Sequence, residues 1–127
     1  EAAEPPLVVT TRRAPAERVS AAESVAEVVV LGDDVVDLTA MVALLAERGA
    51  RRMLCEGGPA LLAGLLAEDL LDELCLAVAP VVTCGAESRI TAGPALAAPR
   101  HLSLTHVAER DDFVFLRYTR ADRSVAS

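Results

Sequence analysis

The sequence predicts a layered α/β fold with a mixed sheet, parallel at first and ending in an antiparallel hairpin. Three observations lead there. Two strand-turn-helix patterns follow one another in the first half, as parallel βαβ packing requires. The run DELCLAVAPVV at 72–82 is apolar at both alternating sets of positions, as in a central strand covered by helices on each side. Two alternating segments near the C-terminus, HLSLTHVAE and DFVFLRYT, are close enough in sequence to pair as a hairpin. At 127 residues and 53% hydrophobic, the chain has the size of a single domain, 1–127.

The opening EAAEPPLVV carries no initiator methionine and reads as an extended, proline-bearing connector, so the chain is expected to be part of a longer polypeptide. Residues 7–10 are β-branched and form the first strand, ending in the basic turn Thr11-Arg12-Arg13-Ala14-Pro15. Weak helical character follows over 16–26. EVVVL at 27–31 is a buried-type strand closed by Gly32-Asp33-Asp34. Asp37 caps a helix whose Leu38, Met41, Val42 and Leu45 recur at helical spacing, and Gly49 stops it. The next strand is expected at 52–55, with Gly57-Gly58 as its turn. Pro59 then opens a helix in which Leu61, Leu62, Leu65 and Leu66 share one side. In the strand over 73–82, Leu74, Leu76 and Val78 are expected on one buried face and Cys75, Ala77 and Ala79 on the other. TRADRSVAS is a polar tail without periodicity.

Composition excludes several functions. The formal net charge of −7 repels a polyphosphate backbone, and aromatic residues at 2% supply no stacking platforms, so nucleic acid is not an expected partner. No stretch is long and uncharged enough to cross a bilayer. Cys55, Cys75 and Cys84 form no CxxC pair, and two of them lie in apolar runs that read as buried strands; all three read as reduced structural thiols of a cytoplasmic protein. No metal site is expected. His101 and His106 lie in an alternating strand with no acid or cysteine at catalytic spacing and are read as structural.

The chemistry concentrates in RRMLCEGGPALLAGLL, where Glu56 and two adjacent glycines stand between a strand and a helix. Such a turn lets backbone approach a ligand, and the helix start offers N–H groups with partial positive charge, so a phosphate is its natural occupant. EGGP is neither the GxGxxG fingerprint nor a P-loop, so spacing alone leaves open a tight turn that only packs helix on sheet.

The wider pattern decides more. LCEGGPALLAGLLAEDLLDELCLAVAPVV, with VVVLGDDVVDL before it and DDFVFLRY after it, resembles the C-terminal reductase domain of the riboflavin-biosynthesis deaminase/reductase. That is the pyrimidine reductase family, with a three-layer dihydrofolate-reductase-like fold. The resemblance runs from about Pro6 to Tyr118 and is most specific at the glycine turn and LLDELCLAVAP. It implies NADPH with its pyrophosphate at Gly57, Gly58, Pro59, Ala60, Leu61 and Leu62, a further coenzyme contact at Thr11, and Glu56 as a substrate-binding carboxylate. Arg12 and Arg13 suit the coenzyme 2′-phosphate electrostatically, which is an inference from charge and not a motif match. No catalytic side chain is assigned, because the coenzyme supplies the hydride.

The resemblance further implies reduction of 5-amino-6-(5-phosphoribosylamino)uracil to its ribityl product, and a homodimer. Two departures stand out: Cys84-Gly85-Ala86 replaces a run of glycines, and family members begin earlier, with a first strand and loops that carry most substrate contacts. The expected fold is thus incomplete at its N-terminus. Alternatives are reduction of a pterin or another heterocycle on the same fold, or a non-catalytic nucleotide-binding or self-associating fragment.

Overall fold

The computed structural model describes residues 5–85 and 89–121. The chain divides into two compact units, Glu1–Leu54 and Cys55–Ser127. Expectations for the first residues of the leader, for Ala86 and for the tail from 122 on lie outside the described residues.

The first unit is a βαβ arrangement followed by a helix. Strand β1 (Leu7–Thr10) pairs in parallel with β2 (Glu27–Val30), Leu7 opposite Glu27 and Thr10 opposite Val30, and helix α1 (Ala16–Glu23) makes the crossover. After β2 the chain turns at Gly32, whose φ of +93° favours glycine and whose added Cβ would lie 2.1 Å from the Val35 carbonyl oxygen. Helix α2 (Leu38–Glu47) begins as expected: the Asp37 side chain accepts a hydrogen bond from Ala40 N at 2.8 Å. It ends in a Schellman motif, Ala50 N donating to Leu45 O and Gly49 N to Ala46 O, with Gly49 at φ +89°. Leu38 is the buried centre of this unit, and Met41, Val42 and Leu45 are half-buried on the same side.

The second unit holds helix α3 (Pro59–Ala67) and a three-stranded antiparallel sheet of order β3-β5-β4, formed by β3 (Glu73–Val78), β4 (Leu102–Arg110) and β5 (Phe113–Arg120). Its buried centre is Leu65 of α3. The β4-β5 hairpin turns through Asp111 and Asp112, both at positive φ, which a two-residue hairpin turn demands and Asp tolerates. The Glu109 carboxylate accepts from Asp112 N at 3.1 Å across that turn. A bulge at Thr105 shifts the register between Leu104 and His106, and the Thr105 hydroxyl donates to the Arg117 carbonyl at 3.1 Å.

Parallel and antiparallel pairing are both present, as expected, but in separate sheets. Three local expectations fail. Residues 52–55 form no strand: among the described residues they have no ladder partner, and Leu54 is 85% exposed. The run 73–82 is not a two-sided central strand either; β3 stops at Val78 and, among the described residues, is an edge strand paired only with β5. Leu74 and Leu76 are half-buried, whereas Cys75, Ala77, Val78 and Ala79 are exposed. The three cysteines are free and exposed, so the two in apolar runs are not buried as expected. His101 and His106 are exposed as well.

Candidate functional site

In the second unit, the segment leading into α3 carries Glu56 and the two glycines. Gly57 has φ +107°, the left-handed region that side chains avoid, and the Gly57–Gly58 peptide is cis. Gly58 is the N-cap of α3 and Pro59 its first residue. The first intrahelical bond runs from Leu62 N to Gly58 O at 3.1 Å, so Gly58, Ala60 and Leu61 N–H lie upstream of the ladder; Pro59 has none. Among the described residues no side chain caps this end, in contrast to Asp37 at the start of α2.

Space above the turn is open. A Cβ added to Gly57 or Gly58 would meet nothing within 4 Å. Glu56, Pro59 and Ala60 are exposed, Leu61 is exposed and Leu62 half-buried, so the whole segment is accessible to a ligand. These observations fit a phosphate group: unpaired N–H groups with the positive end of the helix behind them, and no side chain in the way. Among the described residues, no group of three or more His, Cys, Asp or Glu side chains is placed to hold a metal ion.

In the first unit, Thr11 and Arg12 stand at the carboxyl end of β1. They line an open groove of about 550 Å³ together with Ala14, Val19, Ser20 and Val30. The loops after β1 and β2 are tied by backbone bonds from Arg12 N to Gly32 O (3.1 Å) and Arg13 N to Asp33 O (3.2 Å). Their side chains pair too: Arg12 Nε is 2.8 Å from Asp33 Oδ1, and Arg13 Nε is 2.8 Å from Asp34 Oδ1. Sequence reading assigned the two aspartates only to the end of a strand. What would have found them is the parallel pairing of β1 and β2, which brings both carboxyl ends, and so both loops, side by side.

A family model described as the RibD C-terminal domain matches residues 1–115, which includes both the glycine turn and the Thr11 loop. The chain belongs to the RibD C-terminal domain family. Among its relatives, the 2,5-diamino-6-ribosylamino-4(3H)-pyrimidinone 5′-phosphate reductase of Archaeoglobus fulgidus is 38% identical over 82 residues, covering 65% of this chain and 37% of that enzyme. The enzyme of the same name from Aquifex aeolicus is 34% identical over 82 residues, covering 64% of this chain and 37% of its own length. In structure, a pyrimidine reductase-like protein from Corynebacterium diphtheriae superposes with a TM-score of 0.79 at 25% identity, over 90% of this chain and 49% of that one. RibD of Acinetobacter baumannii, at 19% identity and a TM-score of 0.68 over 91% of this chain and 31% of its own, shares the fold. The aligned part of this RibD C-terminal domain thus spans little more than a third of the reductases' length. The family and the fold agree with the resemblance read from the sequence. No helix among the described residues is long and apolar enough to cross a membrane.

Proposed function

We propose that the two units together form the C-terminal part of one reductase domain, 1–127, which binds NADPH and serves a pyrimidine reductase of riboflavin synthesis in the cytoplasm. The observation that carries this reading is the glycine turn at the start of α3: an uncapped helix end with open space over Gly57 and Gly58, in a chain of the RibD C-terminal domain family. That one family model covers residues of both units supports treating them as one domain.

In this reading the N–H groups of Gly58, Ala60 and Leu61 hold the coenzyme pyrophosphate, Gly57 makes the turn, and Pro59 and Leu62 shape the helix start beneath it. Thr11 and Arg12 contact the coenzyme from the loop after β1. The nicotinamide supplies hydride when bound; the chain supplies position and charge. Glu56 accepts hydrogen bonds from sugar hydroxyls or ring N–H groups of the substrate without transferring a proton. The substrate is an aminopyrimidine ribotide: the relatives' names carry a 2,5-diaminopyrimidinone, whereas 5-amino-6-(5-phosphoribosylamino)uracil has oxygen at the 2-position. We place the protein as a homodimer, supported by the exposed aromatic face of its antiparallel sheet.

The test is Gly58→Val in the complete encoded protein. Open space at Gly58 means that valine is accommodated by the free fold but stands where the pyrophosphate would lie. NADPH affinity should fall by about 1–3 kcal/mol, the worth of one or two charge-assisted hydrogen bonds, while the apo melting temperature falls much less. Unaltered NADPH affinity in the folded variant would remove this reading of the turn. Glu56→Gln should spare coenzyme binding and weaken binding of the ribotide, measured with both the diaminopyrimidinone and the uracil.

A further inference from the structure

We propose that Asp33 and Asp34 set coenzyme preference, by engaging the Arg12 and Arg13 guanidiniums that a 2′-phosphate would otherwise recruit. This rests on the coenzyme reading above. The loops after β1 and β2 are held together by two backbone hydrogen bonds, so the four charged residues share one short rim beside the groove that Thr11 and Arg12 line. Each guanidinium meets one carboxylate at 2.8 Å, which leaves the rim without net charge. A 2′-phosphate monoester brings close to two negative charges; it gains from the arginines and is repelled by the aspartates.

A ribose 2′-hydroxyl behaves in the opposite way. It donates a hydrogen bond to a carboxylate, the role an acidic residue plays beyond a parallel strand that carries an unphosphorylated dinucleotide. Both kinds of reader therefore occupy one rim, and the carboxylates weigh against the phosphorylated coenzyme. The pairs are open to exchange, because the side chains of Arg12 and Asp33 are 79% and 82% exposed and those of Arg13 and Asp34 are 79% and 66% exposed. A guanidinium carries five N–H donors, so a contact at Nε does not exhaust it. Gly32, which only glycine can satisfy at this turn, keeps the two aspartates in place beside the β1 loop.

The experiment is calorimetric titration of the complete encoded protein with adenosine 2′,5′-bisphosphate and with AMP. Wild type is compared with Asp33→Asn, Asp34→Asn and the double variant. Asparagine keeps the shape and removes the charge, and the apo melting curve reports whether the loop is retained. The expected result is an affinity for the bisphosphate about three- to tenfold higher in the double variant, the range for two screened exposed pairs. AMP binding should stay level or weaken, and the difference should shrink at high salt. An unchanged bisphosphate-to-AMP ratio overturns the proposal, and so does a fall in bisphosphate affinity, which would mean that the carboxylates orient the arginines for the phosphate. The single variants decide the matter in the same way if the double variant fails to fold. Failure of wild type to bind either NADPH or NADH is a separate outcome that sinks the coenzyme reading itself.

Discussion

Cys75 shows how a single neighbour sets chemistry on an open surface. Its thiol donates to the Glu73 carboxylate at 3.4 Å, and that hydrogen bond is the main cause that pushes the thiol above its ordinary range; partial desolvation and the carboxylate's charge add to it, and Arg117 opposes them. Arg117 in turn holds Glu73 at 2.5 Å. Because the thiolate is the nucleophile, Glu73→Gln should increase the rate at which Cys75 reacts with a disulfide reagent at neutral pH severalfold. The rate is read in a background where Cys55 and Cys84 are serine, and an unchanged rate would show that the carboxylate does not govern the thiol. Exposure of this cysteine was not legible in the sequence, since its apolar neighbours Leu74 and Leu76 suggest burial. The glycine turn was legible: a positive φ at Gly57 needs glycine, and a proline after Gly58 needs a helix start. The aspartates beside Arg12 and Arg13 were not, because their pairing depends on which strands lie side by side.

At the scale of elements, the ends of α2 carry most of the argument. Asp37→Ala removes the acceptor for Ala40 N and should cost about 1 kcal/mol of unfolding free energy, seen as a lower denaturant midpoint with unchanged slope. At the other end Arg48 reaches β2, its two terminal nitrogens donating to Glu27 Oε2 at 2.7 Å and Oε1 at 2.6 Å. This paired hydrogen bond, with the attraction between the charges, holds the Glu27 carboxyl below its usual value despite some desolvation. A depressed carboxyl pKa means that the folded state binds fewer protons than the unfolded one. The stabilisation is therefore complete above the ordinary glutamate value and is lost as pH falls through the lower folded value. In Glu27→Gln the acid limb of the stability profile should flatten, as measured by melting between neutral and strongly acidic pH. Helices α2 and α3 and strands β1, β2, β4 and β5 follow the spacing of their apolar residues, with a cap at Asp37 and a helix start at Pro59, whereas α1 showed only as weak helical character. The strand at 52–55 fails because apolar sequence gives a strand only where a neighbour offers a ladder, and the described residues offer none.

For the whole molecule, the outer face of the antiparallel sheet matters most. Phe113 and Phe115 stack there with centroids 6.3 Å apart, exposed at 38% and 43%, and the register sets Phe115 between Ala77 and Ala108. An aromatic patch framed by small residues favours a second copy, so sedimentation at micromolar concentration should show a twofold dimer, and Phe115→Lys should shift it toward monomer. Sedimentation as monomer alone would count against the assembly. The sequence shows the aliphatic composition of this surface but not its exposure, which follows from strand order. That order, with β5 between β3 and β4, also bears on how the protein is made. A ribosome delivers β3 long before β5, so Glu73–Val78 leaves the exit tunnel as a strand without its partner, its backbone groups open to any passing edge. Not until Phe113–Arg120 emerges can it be sealed, as Glu73 meets Thr119 and Val78 meets Val114. The hairpin thus closes the sheet, and a chain released before Phe113–Arg120 has emerged offers β3 to aggregation or to a chaperone.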